Sequence, residues 1–351
     1  MEFKIETYLE DLEKRIDPDV ESELGAQWKT FLDGGLKEGF FSPRRQRAVP
    51  SSVPWPRVTV NEALDDPGKM VLQQLYGCHI ALAEGSGTIL NVRPNFGAGL
   101  LPSIYGAGIF RMEDAMDTLP TSMSIEGGRD AILRLLDQGL PALETGYGKP
   151  CLEMGKRFMR LFGNYPRVSE HVRLYHPDLQ GPMDVCELLW GSSLFLDLID
   201  CPDLVHTFLH NITGTYIRFL REWERIVPRR DEYTAHWGML QRGQIMIRDD
   251  SAMNLSPEMF DEFIGPYDRR LLAECGGGAI HFCGRGDHYI DRLARLDGLY
   301  AVNLSQPEYN DMEVIFRHTI DKGITLLGMR RETAEESLRR GRALRGKVHC
   351  W

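Results

Sequence analysis

The sequence lacks the features that mark several classes of protein. It holds no run of about 18 uncharged apolar residues, which a membrane span needs. Its first residues, M-E-F-K-I-E-T-Y-L-E-D-L-E-K-R, include no apolar run fit for a signal peptide. Lysine and arginine are not clustered and the net charge is −10, which argues against a nucleic-acid surface. We therefore expect a cytoplasmic protein that acts on a small molecule and binds neither nucleic acid nor a membrane.

Cysteine is scarce and odd in number, with seven residues spread along 351 positions. This usage does not suit a disulfide framework, which is typical of short secreted chains. Cys283 and Cys350 are distinguished by their positions at the ends of strand-like runs. The other five lie among apolar or helix-like neighbours and are interpreted as small buried side chains: Cys78, Cys151, Cys186, Cys201 and Cys275.

The length and the hydrophobic content of 42% allow one large core. Residues 1–59 read as an amphipathic helical extension followed by a proline-rich linker. The extension is expected to pack on the rest of the chain or to form a contact in a possible homodimer. Residues 60–351 are predicted to form the main domain.

Strand-like and helix-like segments alternate regularly in the last 75 or so residues. The runs G-A-I-H-F-C, L-Y-A-V-N-L, I-T-L-L-G and K-V-H-C are separated by three helical patterns. This order predicts right-handed βαβ units and a parallel sheet. With the earlier strand-like runs, about seven strands in all, it predicts an α/β fold with a (β/α)8 TIM barrel. Active sites of such barrels lie at the carboxyl ends of the strands.

The stretch G-G-G-A-I-H-F-C-G, residues 276–284, carries the clearest chemical pattern. His281 and Cys283 are two positions apart at the end of a strand, so both side chains should point to the same face. Imidazole and thiolate are ligands that Zn²⁺ prefers. The H-x-C pattern alone also fits an ordinary core histidine beside a buried cysteine, and that alternative stays open.

Cys350 ends the last strand-like run and is the candidate for a third ligand. The first and last strands of a closed barrel are neighbours, so Cys350 could reach the same rim as His281 and Cys283. The adjacent His349 would point to the opposite face of a regular strand, and Cys350 is therefore preferred. Three protein ligands leave a position open, which is typical of catalytic zinc. A substrate thiol bound there would stay deprotonated and could attack an activated methyl group.

Further polar residues follow predicted strands and are candidates for the same rim. Asp178 with Gln180, His236, and Asp249 with Asp250 are candidates for orienting a substrate or for filling the fourth position on zinc. Of these, Asp178, His236 and Asp250 are predicted to act in catalysis. Adjacent Asp249 and Asp250 face opposite ways in a strand, so only one should point inward. The weaker candidates are Tyr267, Arg285 and Glu308.

Several longer segments resemble the uroporphyrinogen decarboxylase superfamily over roughly residues 60–351. They are D-L-Q-G-P-M-D-V-C-E-L-L-W-G, D-L-I-D-C-P-D-L-V-H, R-D-D-S-A with S-P-E-M-F-D-E-F-I-G-P-Y, G-A-I-H-F-C-G and I-T-L-L-G. The resemblance implies a (β/α)8 barrel. The decarboxylases of this superfamily carry an R-Q-A-G-R-Y-like segment that binds porphyrinogen carboxylates, and S-P-R-R-Q-R-A-V-P does not match it.

The other branch of the superfamily, the methylcobamide-dependent methyltransferases, is marked by His-x-Cys and a distant cysteine that bind zinc. His281, Cys283 and Cys350 are similar to this pattern, which implies transfer of a methyl group between a corrinoid and a zinc-activated thiol. The corrinoid would be carried by a partner protein. The alternative is a decarboxylase-like lyase acting on a small carboxylate or tetrapyrrole-type substrate, and a barrel that binds ligand without catalysis is a third possibility.

Overall fold

The structure is a computed structural model that describes residues 4–351. It is a mixed α/β protein with 51% helix and 12% strand. The α-helices of the described chain are α1 (Ile5–Arg15), α2 (Pro18–Leu32), α3 (Val60–Asp65), α4 (Pro67–Glu84), α5 (Leu100–Ile104), α6 (Gly128–Asp137), α7 (Gly148–Phe162), α8 (Pro166–His171), α9 (Pro182–Trp190), α10 (Leu194–Asp200), α11 (Pro202–Ile226), α12 (Pro257–Phe263), α13 (Gly265–Cys275), α14 (Ile290–Leu293), α15 (Met312–His318) and α16 (Arg331–Arg339).

The strands form one five-stranded parallel sheet and three separate pairs. The sheet has the order β11-β10-β9-β8-β7, β1 pairs with β4 in parallel, and β2–β3 and β5–β6 are antiparallel. The strands are β1 (Asn91–Val92), β2 (Ile109–Phe110), β3 (Thr121–Ser122), β4 (Arg173–Leu174), β5 (Tyr233–His236), β6 (Met239–Arg242), β7 (Ile245–Arg248), β8 (Gly278–Phe282), β9 (Leu299–Leu304), β10 (Thr325–Met329) and β11 (Val348–Cys350).

The alternation predicted for the end of the chain is confirmed. Strands β8 to β11 coincide with the four strand-like runs, and helices α14, α15 and α16 lie between them. Two glycines make the entry into β8 possible, since Gly276 and Gly277 have φ of 92° and 72°, which favour glycine. Ser256 caps the start of α12, because its hydroxyl accepts a hydrogen bond from the Met259 N–H at 3.2 Å.

The two faces of the five-stranded sheet bury different sets of residues. Ile280, Val302 and Val348 belong to the large core shared with the helices. Ala279 and Ala301 belong to a second core, which also contains residues of the β5–β6 hairpin and of α2. Adjacent residues of a strand thus enter different cores, as the alternation of side chains requires. We call these the helix face and the inner face of the sheet.

The predicted N-terminal extension contains α1 and α2, with residues 1–3 outside the described part. The indole of Trp28 in α2 packs into the second core, and its Nε1 donates to the Gly87 carbonyl at 3.0 Å. Arg45 in the following linker forms a buried ion pair with Glu21, with N–O distances of 2.6 and 2.8 Å. These contacts join the extension to the rest of the chain. The division at residue 59 stays a prediction.

The strand-like runs that precede β7 form short strands of two to four residues. The run T-I-L-N-V-R-P forms only the two residues of β1, and Y-T-A-H-W-G-M-L folds back on itself as the β5–β6 hairpin. The closed (β/α)8 barrel stays a prediction. Within residues 4–351 we find no helix with the length and apolar character that a bilayer crossing demands.

Candidate metal centre

Two adjacent strands bring the candidate ligands together. Arg248 at the end of β7 lies opposite His281 in β8, so the residues that follow each strand also lie side by side. Asp250 follows β7 and Cys283 follows β8. The Cys283 N–H donates a hydrogen bond to Asp250 Oδ1 at 2.8 Å, which fixes the carboxylate beside the thiol. Register between the strands therefore places three potential ligands at one edge of the sheet.

Asp250, His281 and Cys283 each offer one ligand atom, and these atoms all lie within 4.8 Å of one another. His281 Nε2 is 3.4 Å from Cys283 Sγ and 3.7 Å from Asp250 Oδ1. We call these three residues the ligand cluster. Nitrogen, sulfur and carboxylate oxygen are all ligands found around protein-bound zinc. The donor set and its spacing thus fit a divalent metal ion.

Asn303 fixes the imidazole of His281 in the form that binds metal. Its Nδ2 donates to the Leu327 carbonyl at 2.7 Å, which turns its Oδ1 toward His281 Nδ1 at 2.6 Å. Because Oδ1 only accepts, Nδ1 of His281 must carry the proton. The lone pair of Nε2 is then free and faces the ligand cluster. Such a hydrogen bond on the second nitrogen is usual for histidines that bind metals.

Protonation of the ligand cluster is governed mainly by burial. Burial lowers the pKa of His281, so its imidazole is neutral near pH 7. Burial also raises the pKa of the Cys283 thiol to about 11, with a smaller upward contribution from Asp250. A bare thiol at this position is therefore protonated, and a bound cation would favour the thiolate.

The backbone of the Asp250 segment is held by a buried carboxyl group. The N–H groups of Asp250 and Ser251 donate to the two oxygens of Asp184 at 3.0 and 2.8 Å. Ser251 in turn donates to Glu187 at 2.5 Å. Burial, together with the nearby Asp250 and Asp249, raises the pKa of Asp184 well above its usual value. These contacts position the Asp250 carboxylate over the end of β8.

A second charged group lies on the inner face beside the ligand cluster. Asp178 pairs with Arg248 and, at 3.4 Å, with Arg93. Gln180 Nε2 donates to Asp178 Oδ1 at 2.7 Å. Burial alone would raise the pKa of Asp178, but the charges of Arg248 and Arg93 outweigh it and hold that pKa below its usual value. We call Arg93, Asp178 and Arg248 the arginine cluster.

His236 and Trp237 close the space between the arginine cluster and His281. The guanidinium of Arg248 lies 2.8 Å from His236 Nε2 and 4.7 Å from the centroid of the Trp237 ring. The Trp237 ring is edge-on to His281, with centroids 4.9 Å apart. Burial and the charge of Arg248 lower the pKa of His236 well below its usual value, so it is a neutral hydrogen-bonding group rather than an acid.

A cavity of about 500 Å³ opens beside the ligand cluster. Asp250 and Gln180 both line it, and so connect the cavity to the ligand cluster and to the arginine cluster. The rest of its wall is rich in hydroxyl, amide and carboxyl groups, from residues that include Ser122, Ser124, Glu187, Ser192 and Asn254. A small polar molecule would fit this space.

Cys350 is not part of the ligand cluster. Leu326 pairs with Val348 but Met329 pairs with Cys350, so β10 contains one extra residue, a β-bulge. Val348 and Cys350 both enter the helix-face core, and the charged side chains near the Cys350 thiol, such as Arg331, belong to α16. Burial raises the pKa of this thiol to about 12.

His349 instead occupies the inner face, on the same side of the sheet as His281. Its ring lies 4.5 Å from the ring of Trp28, and its Nδ1 accepts a hydrogen bond from the Gly328 N–H at 3.1 Å. Burial lowers its pKa to about 3. His349 and Cys350 thus face opposite ways, as the sequence predicted, and it is the histidine that shares the face of the ligand cluster.

The remaining candidates lie outside the ligand cluster. Asp249 is fully buried, and burial with the nearby Asp268 raises its pKa well above the usual value. Tyr267 belongs to α13, where its hydroxyl contacts His206 Nδ1 at 2.7 Å. Two others form ion pairs: Arg285 with Asp287 at 2.7 Å, and Glu308 with Arg330 at 3.5 Å.

Comparisons with known proteins add no identification. No protein-family model matches the chain, and no curated protein is significantly similar to it. The case for a function therefore depends on the site itself.

Sequence reasoning missed four residues that shape the site: Arg93, Asp184, Arg248 and Asn303. Arg93, Arg248 and Asn303 are polar residues near the ends of otherwise apolar strand-like runs, N-V-R, I-M-I-R and A-V-N-L. This position is the same signal that indicated His281. Asp184 lies within α9, and nothing in its local sequence indicates that it binds the backbone after β7.

Proposed function

We propose that the chain is a zinc-dependent methyltransferase of the uroporphyrinogen decarboxylase-like superfamily. It would move a methyl group between a corrinoid carried by a partner protein and a thiol or related acceptor. The observation that carries the proposal is the ligand cluster, in which His281 Nε2 and Cys283 Sγ lie 3.4 Å apart beside the Asp250 carboxylate. The cluster lies at the carboxyl ends of parallel strands, where barrel enzymes bind their substrates.

The connections around the five-stranded sheet support a (β/α)8 barrel. The Arg173 N–H donates to the Leu90 carbonyl at 2.8 Å within the parallel β1–β4 pair. The segment after β4 reaches β7, because the Gly181 N–H donates to the Arg248 carbonyl at 2.7 Å. At the other edge, Phe41 bridges to β11. These hydrogen bonds extend backbone pairing beyond both edges of the sheet, as closure of a barrel requires.

His281, Cys283 and Asp250 would hold the metal in this proposal. Asp250 would take the place of Cys350, the third ligand predicted from the sequence, because Cys350 enters the helix-face core. When bound, zinc would lower the pKa of a thiol acceptor and so favour its nucleophilic thiolate form. One thiolate and one carboxylate balance the charge of a divalent ion, as two thiolates would.

The surrounding residues supply orientation. Asn303 holds the His281 ring, and Asp184 holds the segment that carries Asp250. The polar cavity beside Asp250 would receive the acceptor. Asp178 and His236, predicted to act in catalysis, would position substrate through the arginine cluster, since Asp178 is already paired and His236 is buried in its neutral form.

The direct test is methyl transfer by the purified full-length chain after it is loaded with zinc. Methylcobalamin serves as donor and 2-mercaptoethanol as acceptor, and loss of the methyl–cobalt bond is followed by visible absorbance. We expect turnover that Cys283→Ala abolishes and that Cys201→Ala, a cysteine outside the cluster, leaves intact. Bound zinc without methyl transfer to any thiol would contradict the proposal. A chain that binds no zinc would favour the decarboxylase-like alternative.

A further inference from the structure

The arginine cluster contains more positive than negative charge. Two guanidiniums, Arg93 and Arg248, share the single carboxylate of Asp178. All three side chains are less than one-tenth exposed. His236, which contacts Arg248, is neutral because burial lowers its pKa. One positive charge is therefore left without a partner in a buried position, which is costly unless an anion is supplied.

Donor groups of the arginine cluster are also left unpaired. Nε of Arg248 is buried and has no hydrogen-bond partner among the described residues. Arg93 contacts Asp178 only through one nitrogen at a long 3.4 Å. Arginine carries five N–H donors in a fork that matches the two oxygens of a carboxylate. The unused donors are thus suited to a second carboxylate.

The arginine cluster is close to both the cavity and the ligand cluster. Gln180 lines the cavity and donates its side-chain hydrogen bond to Asp178, so a single side chain separates the cavity from the ion pairs. Arg248 lies directly opposite His281 in the neighbouring strand. A small molecule in the cavity could therefore contact both groups after Gln180 turns aside.

Two of the four described residues other than glycine that have a positive φ lie at the same place. Gln180 and Trp237 have φ of 58° and 48°, in the left-handed region that residues other than glycine rarely adopt. Gln180 contacts Asp178, and Trp237 packs on Arg248. Strain of this kind is common at binding sites, where the surrounding structure holds a residue in a functional position.

We propose that Arg93 and Arg248 form a binding site for a carboxylate group of a small-molecule substrate. The carboxylate would lie beside Asp178 and take up the unpaired donors, while the rest of the molecule fills the cavity next to the ligand cluster. Its use by a substrate for methyl transfer rests on the proposed function. The binding site itself requires neither zinc nor turnover.

The experiment measures binding of benzoate to the metal-free full-length chain by isothermal titration calorimetry. Benzamide, which has nearly the same shape and no charge, is the matched ligand. We expect benzoate to bind at least roughly tenfold more tightly than benzamide, since hydrogen bonds to charged groups are the stronger ones. Equal affinities, or no benzoate binding at millimolar concentration, would overturn the proposal whether or not the chain binds zinc.

Two variants with opposite expected effects locate the site. Arg93→Gln should weaken benzoate binding by roughly tenfold or more, and the exposed Arg225→Gln should leave it unchanged. Asp178→Asn removes the competing carboxylate and should tighten benzoate binding. Misfolding cannot produce this gain in affinity. Unchanged binding in Arg93→Gln, or weaker binding in folded Asp178→Asn, would contradict the assignment.

The methyl-transfer assay and the benzoate-binding experiment therefore test the two proposals separately. Carboxylate binding by a chain without methyl transfer would refute the proposed function and leave this inference standing. Methyl transfer by a chain that binds benzoate and benzamide equally would do the reverse.

Discussion

Replacement of Asn303 by leucine should weaken zinc binding by roughly 10- to 100-fold, although Asn303 is not itself a ligand. The hydrogen bond from His281 Nδ1 to Asn303 Oδ1 is 2.6 Å long, and both side chains are buried. Leucine is similar in size and removes the acceptor. In the metal-free variant the proton can move to Nε2, beside Asp250 and Cys283. Zinc binding must return it to Nδ1, where it stays unsatisfied at a cost of about 1–3 kcal/mol. This cost corresponds to the same range of lost affinity.

The assay is competition for zinc with a chromophoric chelator, using the purified chain at constant pH. Asn303→Asp is the matched control, because it also loses the donor to the Leu327 carbonyl but keeps an acceptor for His281. We expect Asn303→Asp to bind zinc at least as tightly as the original chain does. Asn303→Leu should bind it more weakly than the original chain. Ser305→Ala, which removes a long 3.5 Å contact to Cys283, should change affinity by less than about threefold. Equal weakening in both Asn303 variants would refute the role given to the hydrogen bond.

Three further predictions concern stability, each measured as the free energy of unfolding in urea. Arg45→Ala should cost about 3–5 kcal/mol, because it leaves the buried Glu21 carboxylate without its partner; a loss below about 1 kcal/mol would contradict this. Gly328→Ala should lower the free energy of unfolding more than Gly323→Ala does. Both glycines have a positive φ, so alanine at either position costs about 1–2 kcal/mol of backbone strain, but only at Gly328 would the added Cβ also clash with neighbouring atoms. The free energy of unfolding should fall as the pH drops below about 6.5, because the folded state keeps His349 unprotonated with a pKa of about 3 while the unfolded chain binds the proton. In His349→Gln this dependence on pH should be less steep by about 1.4 kcal/mol per pH unit.

Local sequence pattern predicted the regular part of the fold. Apolar runs bounded by glycines and separated by helical patterns correspond to β8–β11 and the helices between them. The sequence pattern did not predict the β5–β6 hairpin, because Trp237 adopts a positive φ in its turn, where asparagine, aspartate or glycine is usual. The two-residue strands β1 and β4 are too short to be distinguished from loops by periodicity.

Only the part of the ligand cluster that lies on a single strand could be predicted from the sequence. The spacing of His281 and Cys283 follows from the alternation of side chains within β8. Asp250 joins them through the register between β7 and β8, which no pattern within either strand reveals. Cys350 enters the helix-face core, and the β-bulge in β10 shifts its pairing relative to the neighbouring strand. Long-range register therefore decides which third residue approaches the histidine and the cysteine.

The metal content of purified variants tests the ligand cluster most directly. Chains stripped with a chelator, reloaded with zinc and freed of excess metal are analysed by elemental mass spectrometry. We predict about one zinc ion per original chain, a loss of zinc in His281→Ala, Cys283→Ala and Asp250→Ala, and its retention in Cys350→Ala. An original chain without zinc, or retention in Asp250→Ala with loss in Cys350→Ala, would contradict this account of the site.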